Sequence, residues 1–200
     1  MKSFKEIGIE LTDKVSYHRY DRFYPRFLES LRDKKFNMLE IGYGDGGSLK
    51  LWKEYFQKAH ITVMDIGIEG KDDRSKIIKL DQSNKDHLQI MVDEMPKCKF
   101  IIDDGSHHPY HQFITFTKLF NELLEEGGIY IIEDIECNYW NSTSEVYGYE
   151  IGHFNFMDLL KQYQKSLSYF QYYILFLLFP QKCPLDNYLG LLQNHLLAEI

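Results

Sequence analysis

At 200 residues, with 44% hydrophobic and 26% charged side chains, the chain is long enough to bury a core and suits one soluble domain. Its formal net charge of −7, without any Lys/Arg run, argues against a nucleic-acid backbone as partner. The longest apolar run, Tyr172 to Phe179, is far short of the roughly 20 residues of a membrane span, so none is expected.

Residues 1–35 are polar and aromatic, with Tyr17, His18, Tyr20, Phe23, Tyr24 and Phe27 close together, and read as a helical preface. The opening Met1 to Glu6 has no signal-peptide apolar run. Cys98, Cys137 and Cys183 make no CxxC pair, so reduced thiols and a cytoplasmic location are expected. From residue 36 to 140, strands and helices alternate, the pattern of a mostly parallel sheet with helices on both faces. The expected strands are Asn37–Ile41, His60–Asp65, Lys76–Leu80, Lys99–Asp103 and Gly128–Glu133. Between them, Leu49, Trp52, Tyr55 and Phe56 line one helical face, and Leu88, Met91 and Val92 mark a short helix. Phe113, Phe116, Phe120, Leu123 and Leu124 form a longer stripe that Gly127 and Gly128 end. Residues 141–200 read as a helical, aromatic-rich C-terminal part of the same domain, with Asn155–Leu177 as one helix and Asp186–Ile200 as another. The Tyr169–Phe179 run reads as core or subunit interface, and a homo-oligomer is expected.

Two strands end abruptly in acids: Ile102-Asp103-Asp104-Gly105-Ser106-His107 and Ile132-Glu133-Asp134. In an open α/β sheet, ligands bind at the carboxyl ends of the strands. Four carboxylates converging there would repel one another without a cation, which points to a divalent metal on oxygen ligands with His107 beside it. Upstream, Glu40-Ile41-Gly42-Tyr43-Gly44-Asp45-Gly46-Gly47 is a glycine-rich turn from strand to helix. Gly42, Gly44 and Gly47 satisfy the dinucleotide pattern G-x-G-x-x-G, with Asp65 at the place of a ribose-binding acid. That pattern also suits S-adenosylmethionine, which Glu40 before the loop and the Asp81-Gln82-Ser83 turn favour over NAD.

Taken together, Thr12-Asp13-Lys14, His18-x-Tyr20, Leu39-Glu40-Ile41-Gly42, Gly46-Gly47-Ser48-Leu49-x-x-Trp52, Asp81-Gln82-Ser83, Asp103-Asp104-Gly105-Ser106-His107, Glu133-Asp134 and Tyr139-Trp140 occur in a telling order. Over residues 10–140 the chain resembles the metal-dependent sugar O-methyltransferases of macrolide biosynthesis, which are class I S-adenosylmethionine enzymes. The resemblance implies a Rossmann-like, mostly parallel α/β fold of the class I methyltransferase type, from which the C-terminal part departs. It implies Mg2+, with Mn2+ as a substitute, on Asp104, Glu133 and Asp134, and His107 as general base. Glu40, Gly42, Gly44, Asp65, Asp81, Gln82 and Asp103 are the candidate contacts to S-adenosylmethionine. The expected partner is a small-molecule or glycan acceptor whose hydroxyl is methylated. The alternatives are a non-catalytic cofactor-binding or assembly relic and an NAD-dependent oxidoreductase. The antiparallel hairpin that usually closes such sheets cannot be recognised in residues 141–200.

Overall fold

A computed structural model describes residues 1–139 and 155–158, together with the strand at 173–176. The preface begins with helix α1 (Phe4–Gly8), started by a reciprocal capping box between Ser3 and Glu6. Helix α2 (Asp13–Ser16) follows, capped by the Thr12 hydroxyl on the Lys14 N–H, and then α3 (Tyr24–Leu28), with Pro25 in its first turn.

The sheet then builds through β1 (Asn37–Ile41), α4 (Gly47–Tyr55), β2 (His60–Asp65), β3 (Gly70–Lys71), β4 (Ser75–Lys79) and α5 (Lys85–Glu94). It continues through β5 (Cys98–Asp103), α6 (Pro109–Glu122), β6 (Leu124–Ile132) and β7 (Tyr173–Phe176). The seven strands lie in the order β3-β4-β2-β1-β5-β6-β7. All neighbours run parallel except the β3–β4 pair. The chain moves outward from β1 through β2 to β4, then returns to the other side of β1 at β5, so the strand order reverses between β1 and β5. Ligands bind at such a switch point in open α/β sheets.

Each central strand is apolar on both sides because both faces of the sheet are covered. On one face, Met38, Val63, Phe100 and Ile131 pack with Trp52 and Tyr55 of α4, with Phe56 just after it, and with Phe4, Tyr20 and Tyr24 of the preface. On the other, Leu39, Ile101, Tyr130 and Ile132 pack with Leu88 and Met91 of α5 and with Phe116, Leu119 and Phe120 of α6. The preface is therefore part of the core, laid over α4.

The α/β class and the five expected strands are present, with boundary differences that have physical causes. The α6 helix stops at Glu122 and β6 starts at Leu124, earlier than the expected Gly128. Leu124 pairs with Cys98, and the register shift between Cys98 and Phe100 is absorbed beside Gly127, whose φ of +67° suits glycine. Tyr173–Phe176 falls inside the segment expected to be helical, yet it is a strand, paired in parallel from Ile129↔Tyr173 to Ile132↔Phe176. A four-residue apolar run carries too little periodicity to separate the two states, and pairing along β6 makes it a strand. Among the described residues no antiparallel hairpin follows β6; the one antiparallel pair, β3–β4, lies at the opposite edge of the sheet. Most of the expected 141–200 segment, including the Asp186–Ile200 helix, lies outside the described residues.

Candidate active site

A cavity of about 520 Å³ opens at the carboxyl ends of β4, β2, β1, β5 and β6, roofed in part by Thr12, Asp13, Lys14 and His18 of the preface. The glycine loop after β1 forms its floor. Gly42 has φ +94°, and a Cβ there would lie 2.1 Å from the Asp104 carbonyl oxygen, so the loop and the β5 turn touch backbone to backbone. Gly44, at φ +55°, also lines the cavity but has nothing within 4 Å of its missing Cβ, which leaves bare backbone facing open space. The start of α4 lies behind it, where Asp45 accepts a hydrogen bond from the Gly47 N–H.

Asp65 at the end of β2 organises its own surroundings: one carboxylate oxygen accepts from Tyr43 N–H at 3.0 Å and the other from Gly67 N–H at 2.7 Å. It lines the cavity with Ile66 beside it. Asp81 lines it from the turn after β4 and accepts from the Ser83 N–H. Gln82 is there too, but its amide is spent within the protein, donating to Asp103 at 3.1 Å and accepting from the Ser106 N–H at 2.7 Å. Glu40 and Asp103, expected among the cofactor contacts, are fully buried and do not line the cavity. Glu40 accepts from the Trp52 indole at 3.0 Å. Burial pushes the carboxyls of both Glu40 and Asp103 up to about 7.

The acidic end of the cavity is built from β5 and β6. Ligand atoms of Asp104, His107 and Asp134 all lie within 4.8 Å of one another, with His107 Nε2 3.7 Å from Asp134 Oδ2. His107 and Asp134 hold left-handed backbone, at φ +56° and +52°. For non-glycine residues this costs of the order of 1 kcal/mol each, and such strain clusters at functional sites. Burial holds the His107 imidazole below its ordinary 6.5, against the opposing pull of Asp104, so the ring is neutral at pH 7.

Glu133 lines the cavity as well, but the compact set of three does not include it. Its Oε2 accepts from Lys14 Nζ at 2.7 Å and its Oε1 from the Tyr24 hydroxyl. Lys14 Nζ also donates to Asp104 Oδ2. Burial alone would discharge this lysine, but Asp104, Glu133 and Glu40 hold it well above 10.5. Burial likewise pulls Glu133 toward its neutral form, yet an ammonium at 2.7 Å and a phenol on its other oxygen support the carboxylate. Lys14 and Tyr24 carry no assignment from sequence. They lie 119 and 109 residues from Glu133, and nothing local in the sequence signals the contact.

The fold is that of the class I methyltransferases. No family model matches the sequence. The chain is related to sugar O-methyltransferases: it is 32% identical over 145 residues to the 8-demethyl-8-alpha-L-rhamnosyl tetracenomycin-C 2'-O-methyltransferase of Streptomyces olivaceus. That match spans 68% of this chain and 38% of the relative. The L-olivosyl-oleandolide 3-O-methyltransferase of Streptomyces antibioticus is 33% identical over 133 residues, covering 62% of this chain and 34% of that protein. The solved structure of the MycE methyltransferase in complex with Mg, SAH and mycinamycin VI superposes with a TM-score of 0.74 at 27% identity, covering 84% of this chain and 49% of that one. The chain thus spans a third to a half of the length of the proteins it matches.

Proposed function

We propose that this chain carries out S-adenosylmethionine-dependent, divalent-cation-dependent methylation of a hydroxyl on a sugar or glycan-type small molecule. The observation that carries this reading is the joint geometry of one cavity: bare glycine backbone and Asp65 on one side, and the Asp104, His107 and Asp134 cluster on the other. The residues fit both groups. Gly44 leaves open space where a side chain would stand, and the cluster offers carboxylate oxygens with one imidazole, a set that suits Mg2+ or Mn2+.

In this reading, Gly42 and Gly44 offer backbone to the cofactor, Asp65 accepts from its ribose hydroxyls and Asp81 faces its adenine edge. Glu40 and Asp103 sit behind these contacts, and Gln82, on the cavity wall, ties the turns after β4 and β5 together. Asp104 and Asp134 hold the metal, and Glu133, fixed by Lys14 and Tyr24, completes the negative field around it. When bound, the cofactor supplies a sulfonium methyl and the cation supplies charge that acidifies a chelated hydroxyl. Neutral His107 takes the hydroxyl proton at Nε2. The preface residues Asp13 and His18, on the cavity wall, are placed to meet the acceptor.

We further infer a cytoplasmic protein, supported by the buried thiols Cys98 and Cys137, and among the described residues no helix is long and apolar enough to cross a membrane. The test is twofold. S-adenosylmethionine binding is measured by calorimetry, then methyl transfer to rhamnosyl or related glycoside acceptors is followed with and without EDTA. Cofactor binding that survives EDTA, with transfer abolished by it, is expected. Full turnover in excess chelator sinks the metal role.

A further inference from the structure

We propose that Lys14 is a built-in cation of the acidic cluster, an intramolecular competitor with which a divalent metal must contend at the Asp104 carboxylate and in the field of Glu133. This rests on the metal reading above and adds to it a residue that sets how tightly the metal is held.

The lysine is 1% exposed, yet its ammonium ends among carboxylates rather than in water. It bonds one oxygen of Asp104 and one of Glu133, while Tyr24 holds the second oxygen of Glu133. An ammonium so placed has the two roles a metal would otherwise fill: it neutralises charge and it occupies lone pairs. Asp104, Glu133 and Asp134 bring three carboxyls together, and the Lys14 ammonium, bonded to two of them, offsets negative charge that a divalent ion would otherwise neutralise. Charges interact strongly at such depth, so the lysine is not a neutral bystander. It arrives from α2, whose position is set by the Thr12 cap and by the burial of Val15 beside it. The preface therefore reaches into the metal site as well as covering the sheet.

Competition and simple structural support make opposite forecasts. If Lys14 competes, removing its charge leaves a more negative and less obstructed cluster, so divalent affinity rises while metal-free stability falls. If it only props up the carboxylates, removing it loosens them and affinity falls. The experiment titrates Mn2+ into wild-type protein, Lys14→Met and Lys14→Gln without cofactor or acceptor, reading free Mn2+ by EPR. Lys14→Gln keeps an N–H donor for Glu133 and covers the case in which the methionine variant does not fold. At least tenfold tighter Mn2+ binding is expected, with a larger Mn2+-induced rise in Tm than in wild type. Affinity equal to or below wild type in the folded variants overturns the proposal. Asp134→Asn serves as the control: if wild type binds Mn2+ no better than this variant, the metal reading itself fails, a different result from unchanged affinity on removal of Lys14.

Discussion

Replacing Glu40 by Gln separates two roles for the acid that precedes the glycine loop. Its carboxyl is fully buried, and burial raises it from 4.5 to about 7. The folded state therefore favours the protonated form, so Glu40's contribution is whole below pH 4.5 and is lost as pH rises through 7. At about 1.4 kcal/mol per pH unit, a rise of that size corresponds to about 3 kcal/mol of stability lost by pH 8. Gln keeps the oxygen that accepts from the Trp52 indole and cannot ionise. Urea unfolding at pH 5 and pH 8 should show the variant gaining on wild type by about 2–3 kcal/mol between the two conditions. Asp103, pushed up to about 7 from 3.8, gives a second source of the same slope, so Asp103→Asn should flatten what Glu40→Gln leaves. Because Glu40 does not line the cavity, S-adenosylmethionine affinity should stay within about threefold of wild type, since no direct hydrogen bond is removed. Stability curves that stay parallel, or a large loss of cofactor affinity, would refute the assignment of Glu40 as buried support.

Asp65→Ala should weaken S-adenosylmethionine binding by about 1.5–3 kcal/mol, because it removes a charged acceptor from the cavity wall and releases the Tyr43 N–H; unchanged affinity by calorimetry would show that another residue holds the ribose. His107→Ala should lower transfer at least a hundredfold, on the scale of about 10²–10⁴ for a general base. In wild type, transfer should fall as pH drops through a value below 6.5, since burial holds the imidazole low; an acid limb above 6.5 would contradict this. The protein should self-associate, on the reasoning that the aromatic Tyr169–Phe179 run, whose side chains lie outside the described residues, needs covering. Light scattering at micromolar concentration checks it, and a strict monomer refutes it.

Much of the sheet could be read from the chain because the central strands are short, largely apolar runs that end in, or are followed by, glycine or an acid. Asn37–Ile41 and His60–Asp65 fall where periodicity and termination place them. What stays hidden has little local signature. The two-residue β3 is exposed and set by the Asp72 turn, in which the Ser75 N–H donates to the Asp72 carboxylate, rather than by any alternation. The extra length of β6 depends on pairing between Cys98 and Leu124, which a helical stripe running through Leu124 conceals. The part played by Lys14 is hidden for a similar reason: a lysine beside Asp13 reads as a solvated charge until the fold carries it to strands 90 or more residues away.

The way the carboxylates converge also exceeds what the sequence shows. Successive strand residues face opposite sides, so adjacent acids such as Glu133 and Asp134 would ordinarily point apart. Glu133 follows the strand and faces Lys14 and Tyr24. Asp134 turns into left-handed backbone at φ +52°, which returns its carboxylate to the cavity beside Asp104 and His107. Asp and Asn tolerate this conformation better than most residues. Asp134→Asn should therefore keep the turn and lose only the charge, lowering Mn2+ affinity at least tenfold with Tm nearly unchanged. Asp134→Ala should lose the affinity and about 1 kcal/mol of stability in addition. If the two variants are equally stable, the left-handed turn is not what positions the carboxylate. If Asp134→Asn binds Mn2+ as wild type does, the charge at the end of β6 is not a metal ligand, and Asp104 with His107 would have to hold the ion without it.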